Sequence, residues 1–132
     1  TVLGLVFATI LVYVVLVFTI VWYSTSGMTG AVRDQLVALR QGELVKAYSY
    51  TSQEFQKETS FDNFKNFVVE HPALSDNADS TFSDRSMENG TGKLAGVLKA
   101  KDGSSEDVEY LMIKENGVWK IFGIHLSKPA SN

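Results

Sequence analysis

Acid–base or metal chemistry in this 132-residue chain would have to come from two histidines, five tyrosines and a scatter of carboxylates, because there is no cysteine. Without a thiol, the sequence excludes a disulfide scaffold, a thiol nucleophile and a cysteine zinc site. His71 precedes Pro72 and His125 stands near the C-terminus, and neither has an Asp or Glu at a spacing that guarantees contact. Glu70, His71, Asp76 and Asp79 crowd together in sequence and offer ligands for a divalent cation. Their spacing fits no known metal loop, so a solvated acidic connector is the simpler reading. Tyr48, Tyr50 and Asp62 are the remaining polar candidates. Tyr48 also reads as a core aromatic with its hydroxyl at the rim, and Asp62 as a carboxylate supporting the N-terminus of its helix. Asn89-Gly90-Thr91 matches a glycosylation acceptor and, more simply, a tight turn. No catalytic motif emerges, and neither a cofactor nor a metal is expected.

The elements that must position these residues divide the chain sharply. Its 12 basic and 15 acidic residues all lie at or after Arg33, leaving a fully uncharged N-terminal stretch. A net charge of −3 with no long Lys/Arg run argues against a nucleic-acid partner and against electrostatic attraction to an anionic membrane. Residues 2–23 carry no charge and are mostly Leu, Ile, Val and Phe. As a helix this run would be about 33 Å long, enough for a hydrocarbon core of about 30 Å. A secretory signal competes with this reading, but its apolar core is usually only about 7–15 residues long. We therefore expect residues 1–23 to be a single transmembrane helix in contact with lipid through 2–23. Trp22 and Tyr23 close the run at the headgroup level, where amphipathic rings are favoured. Gly4 and Ala8 form a small-xxx-small pair that would let another helix approach, although anchoring alone accounts for the segment. It contains no ionisable group, which speaks against an ion path or proton relay. Residues 24–30 are small, polar and glycine-bearing, and read as a flexible tether that keeps the following head close to the bilayer.

The head, residues 31–127, opens with helical periodicity. Val32, Leu36 and Leu39 recur at i, i+4, i+7, with Thr29 as N-cap and Gly42 as stop. A helix resumes over 43–50 with Leu44, Ala47 and Tyr48 on its buried stripe. Ser52 opens a short turn carrying Phe55. Ser60 caps a further helix in which Phe61, Phe64, Phe67 and Val68 share a face, and His71-Pro72 ends it. Three turn dipeptides then follow: Asn89-Gly90, Asp102-Gly103 and Asn116-Gly117. Each tolerates the positive φ of tight hairpins, so four antiparallel strands are predicted near 79–88, 93–100, 106–114 and 118–126. Helices followed by a four-stranded meander give an α+β fold, with the helices on one face of the sheet. A tail occupies 128–132. In the last strand, strict alternation would bury His125. A bulge at Phe122-Gly123 instead turns Trp119, Ile121, Ile124 and Leu126 inward, and is the preferred register.

This head resembles the nuclear transport factor 2-like superfamily. The resemblance rests on the helix with Leu36, Leu39, Gly42 and Glu43, on Ala47-Tyr48, on Ser52 and Phe55, on the Phe64-to-Pro72 helix and on the closing Gly117-Val118-Trp119-Lys120-Ile121. It implies a cone-shaped α+β fold with a curved antiparallel sheet, similar to small bacterial members without an assigned function. The superfamily hosts dehydratases, isomerases, binding proteins and assembly modules, so fold alone does not choose among them. Its enzymatic members place Asp, His and Tyr inside the cone, a pattern this sequence departs from. The cone would be lined here by Tyr48, Phe55, Phe67 and Trp119.

The third strand carries hydrophobes on both faces: with Val108, Tyr110 and Met112 inward, Leu111 and Ile113 point away from the helices. Val97 and Phe122 can join them from neighbouring strands, and an outward apolar patch of this kind marks either a contact site or a central strand partly covered by the chain's own termini, the contact site being the preferred reading. The leading expectation is a non-catalytic, membrane-anchored interaction domain, an accessory or assembly subunit with a protein partner or a second copy of itself. Second is a carrier for a small apolar molecule held in the cone, and third a dehydratase or isomerase using Tyr48 and Asp62. The bacterial resemblance favours the inner membrane, with the head outside the cytoplasm.

Overall fold

The computed structural model describes residues 27–127. Helix α1 occupies residues 27–40 of them and turns Met28, Val32, Gln35, Leu36, Ala38 and Leu39 into the core. It ends in a Schellman-type turn, in which Gly42 N–H donates to Leu39 O at 3.1 Å and Glu43 N–H to Ala38 O at 2.8 Å. Four short helices follow: α2 (Leu44–Ser49), α3 (Gln53–Glu58), α4 (Phe61–Glu70) and α5 (Pro72–Ser75). The hydroxyls of Ser52 and Ser60 accept from Phe55 N–H and Asn63 N–H, capping α3 and α4. The chain then forms β1 (Asn77–Glu88), β2 (Thr91–Ala100), β3 (Ser105–Glu115) and β4 (Val118–Ser127), an antiparallel meander in the order β1-β2-β3-β4. The protein is thus α+β, with helices followed by a curved four-stranded sheet.

Three local expectations need correction. Residues 27–30, read from composition as tether, are helical, and Thr29 lies inside α1 instead of capping it. Met28 is the cause: its side chain is buried and its sulfur occupies the space over Gly92 that a side chain there would fill. The turn at Ser52 continues into a six-residue helix, α3. Pro72 ends α4 as expected but also starts α5, where a missing N–H costs nothing at the first helical position.

The hairpins follow their turn chemistry. Asn89 and Asn116 both take φ 53°, with Gly90 and Gly117 at 78° and 79°, the paired left-handed conformation that matches strand twist. The β2–β3 turn differs, because Gly103 alone takes a positive φ of 90°. Asp102 instead accepts from Ser104 N–H at 2.8 Å and from its hydroxyl, and these bonds hold its carboxyl below the ordinary carboxylate value.

Sheet register places Leu94, Leu98, Val108, Tyr110, Met112 and Ile121 against the helices. Leu111 pairs with Gly123 and Met112 with Ile121, so Phe122 is the extra residue of a bulge. The bulge brings Ile124 and Leu126 back to the core side and leaves His125 exposed. At the same point Ile121 is held from its free edge: its N–H donates to Tyr50 O and its carbonyl accepts from Ser52 N–H. A second bulge, between Phe82 and Asp84, curls β1 over β2.

Buried polar groups tie the layers together. Asn77 Nδ2 donates to Leu36 O at 2.9 Å and to Leu74 O at 2.8 Å, joining α1, α5 and the start of β1. Gln35 Nε2 donates to Ala47 O at 3.1 Å, linking α1 to α2. The Tyr110 hydroxyl is fully buried, finds no partner among the described residues, and its pKa is pushed above the ordinary phenol value by burial. Removing a lone buried hydroxyl removes a desolvation penalty of about 1–3 kcal/mol. Tyr110→Phe is therefore expected to be neutral or stabilising in a urea titration, and a loss of more than about 1 kcal/mol would reveal a bonded hydroxyl.

Candidate functional site

Two regions qualify as sites, one on each side of the sheet. On the helix side, Tyr48 sits among Phe55, Phe61 and Phe64, with ring centroids 6.4, 5.6 and 5.4 Å away. Its hydroxyl donates to Thr59 O at 2.6 Å, so the phenol is engaged by backbone at the cluster's rim. Beside this cluster a cleft of about 160 Å³ is lined by Phe55, Thr59, Phe64, Phe67 and Ile124. Such a volume suits one aromatic ring or a short acyl segment, well below the roughly 300–1,000 Å³ of drug-sized sites.

The four residues expected to line one pocket are therefore divided. Phe55 and Phe67 line the cleft, and Tyr48 packs behind Phe55. Trp119 lies elsewhere, in a cleft of about 140 Å³ with Gly27, Ala31, Tyr50, Lys114 and Lys120. Lys114 Nζ stands 5.2 Å from the centroid of its ring. The separation follows β4: Trp119 stands five residues before Ile124, at the Asn116-Gly117 end of the sheet, with Met28 over Gly92 beside it. Asp62 is exposed in the first turn of α4, where a carboxylate complements the helix dipole.

His71 has an acidic partner after all. Its Nδ1 lies 3.3 Å from Glu106 Oε1, both side chains being largely buried, and its ring packs on Phe67 with centroids 4.7 Å apart. Glu106 lies 35 residues away, on the inward face of β3 that also bears Val108 and Tyr110. The one signal for it was phase: Glu106 shares the inward parity of Val108, Tyr110 and Met112. In the tautomer that donates Nδ1–H to Glu106, Nε2 is left as an acceptor. Among the described residues, no group of three His, Asp or Glu side chains is placed to hold a metal ion, the sequence cluster Glu70, His71, Asp76 and Asp79 included.

Among the described residues, no helix lies on the opposite face of the sheet. Leu111 and Ile113 stand on it, and they are absent from the side chains packed against the core, as is Phe122 in the adjoining bulge. Val97 shares the face but not the patch. The Lys93–Glu109 ion pair, at 3.4 Å, lies between it and Leu111. Val97 instead joins a shallow depression of about 410 Å³ with Asp84, Ala95, Asp107, Glu109 and His125. The outer face thus has Leu111, Ile113 and Phe122, bordered by Lys93 and Lys120, toward the Asn116-Gly117 turn and an acidic half toward the Asp102-Gly103 turn.

With this geometry in place, a family model for a domain of unknown function, DUF4864, matches residues 23–132. The chain belongs to this family. The match covers every helix and strand described above, and with them both clefts and both halves of the outer face. No curated protein matches the sequence. Among the described residues, no helix is long and apolar enough to cross a membrane, and the expected span at 2–23 lies outside them, as do Trp22, Tyr23 and the tail from residue 128.

Proposed function

We propose that this DUF4864 member is a non-catalytic interaction domain, an accessory or assembly subunit of a larger membrane complex. In this reading its head is of the nuclear transport factor 2-like kind. It is tethered through residues 2–23 to the bacterial inner membrane, outside the cytoplasm, and docks a neighbouring subunit or a second copy of itself. The observation that carries the proposal is the patch of Leu111, Ile113 and Phe122. These residues face away from the helices, contribute nothing to the core, and adjoin an ion-paired and acidic region that would form a polar rim.

Because the patch is outside the core, it can be changed without unfolding the head. Leu111 and Phe122 are half-buried, so the double substitution Leu111→Glu and Phe122→Glu is expected to cost about 1–2 kcal/mol in a urea titration while leaving the head folded. It should also remove co-purifying protein from the full chain extracted in mild detergent. Retention of the same partners at the same stoichiometry would end the proposal.

A second reading, a carrier of a small apolar ligand, is favoured by the cleft between Phe55, Phe64, Phe67 and Ile124. Extraction of the purified protein with organic solvent, followed by mass spectrometry, tests it. A stoichiometric apolar compound supports the carrier, and its absence leaves the cleft as a packing defect of the helix layer.

A further inference from the structure

The anchoring segment and the head are joined by very little chain, and the structure fixes where that chain arrives. From Tyr23 to Gly27 there are four residue steps, a reach of at most about 14 Å. At Gly27, the first described residue, the backbone takes φ +51°, a left-handed value that glycine adopts without a Cβ clash. An idealised Cβ on Gly27 would lie 4.0 Å from the Trp119 indole nitrogen, and Met28 is seated over Gly92 and Trp119. The chain therefore enters the head at one particular end of the sheet, the end with the Asn89-Gly90 and Asn116-Gly117 turns. The opposite end holds the Asp102-Gly103 turn and the His71–Glu106 pair.

We infer that this Trp119-bearing end rests on the bilayer, with zwitterionic lipid headgroups as its partner; the inference relies on the membrane-anchored reading proposed above. The headgroup layer is about 5–8 Å thick on each side of the hydrocarbon core, within reach of a surface tied to the span by about 14 Å of chain. The chemistry of this end suits an interface. Met87 beside the first turn is 58% exposed, Val118 and Trp119 are partly exposed, and an indole prefers headgroup depth. Lys114 and Lys120 flank the Trp119 cleft, while Asp34, Glu88 and Glu115 offset them, and Glu115 already accepts from Gln53 N–H. That balance favours apolar and dipolar contact over attraction to anionic lipid. The outer apolar patch of Leu111, Ile113 and Phe122 lies on the same half of the sheet, so a partner docked there would itself lie at the membrane surface.

The chain has two tryptophans, which makes the test direct. The full-length protein is reconstituted into phosphatidylcholine vesicles containing lipid brominated near the top of the acyl chain, and fluorescence quenching is read. In the Trp22→Phe variant, Trp119 should lose at least half of its emission. An indole introduced at the far turn by Asp102→Trp, in a Trp22→Phe and Trp119→Phe background, should lose less than a tenth. The Trp119→Phe variant reports Trp22 alone. Quenched Trp22 with unquenched Trp119, or equal quenching at both ends of the sheet, overturns the inference and spares the anchor. Unquenched Trp22 overturns the membrane reading and this inference with it.

Discussion

Phe64→Ala is expected to destabilise the head by about 4 kcal/mol, within the roughly 3–5 kcal/mol range for truncating a buried phenylalanine. Phe64 is fully buried and forms the hub of the helix layer, with Tyr48 and Phe55 at ring-centroid distances of 5.4 and 6.1 Å. Its neighbours cannot close over the gap easily. Tyr48 is pinned by its bond to Thr59 O, and Phe55 lies in α3, the helix capped by Ser52, which is itself bonded to Ile121 of the sheet. A cavity should remain and open into the adjoining cleft of Phe55, Phe67 and Ile124. Urea denaturation of the full chain in mild detergent, followed by near-ultraviolet circular dichroism, measures the loss. A cost below about 2 kcal/mol would mean that the helix layer collapses freely onto the sheet.

Gly96→Ala should be nearly as damaging through the opposite fault. An added Cβ would meet the Thr81 carbonyl in hard contact and approach Phe82 Cα to 2.8 Å. Both obstacles are backbone of the paired strand, so no rotamer change relieves the clash. Glycine here allows β1 to curl across β2 at its Phe82–Asp84 bulge, and Phe82 then reaches Tyr110 with ring centroids 6.0 Å apart. Overpacking of this kind costs about 3 kcal/mol, the upper end of its usual range. The same urea titration checks it, and an unchanged midpoint would mean that the curl of β1 does not depend on Gly96.

Neither residue was equally visible in the sequence. Phe64 was legible, because Phe61, Phe64, Phe67 and Val68 keep helical phase after Ser60. Gly96 was not: its neighbours Ala95 and Val97 alternate regularly, and nothing local marks the bulge on the other strand. The same contrast runs through the fold. Turn chemistry at Asn89 and Asn116 located two hairpins, and the phase break at Gly123 located the β4 bulge. Inward parity of Val108, Tyr110 and Met112 fixed which face of β3 meets the helices.

What stayed hidden depended on contacts between distant segments. Met28 reads as part of a polar stretch until Gly92 is placed beneath it. Glu106 finds His71 across 35 residues, and no spacing rule connects them. Trp119 belongs by type with Tyr48, Phe55 and Phe67, but its place at the start of β4 puts it at another end of the sheet from their cleft. Val97 belongs by alternation with Leu111, but Lys93 and Glu109 pair between them. Sequence patterns thus located the faces of the sheet, while the grouping of residues upon each face required the chain path.

The central claim, contact through the face of the sheet opposite the described helices, is tested most directly by a photo-crosslinking amino acid placed in the full chain in its native membrane. One variant carries it at Leu111, on the outer patch, and another at Val45, which is 73% exposed on the helix side. The account predicts a discrete cross-linked species, to a neighbouring subunit or a second copy, from position 111 and none from position 45. Cross-links of equal yield from both positions, or none from position 111, would contradict it.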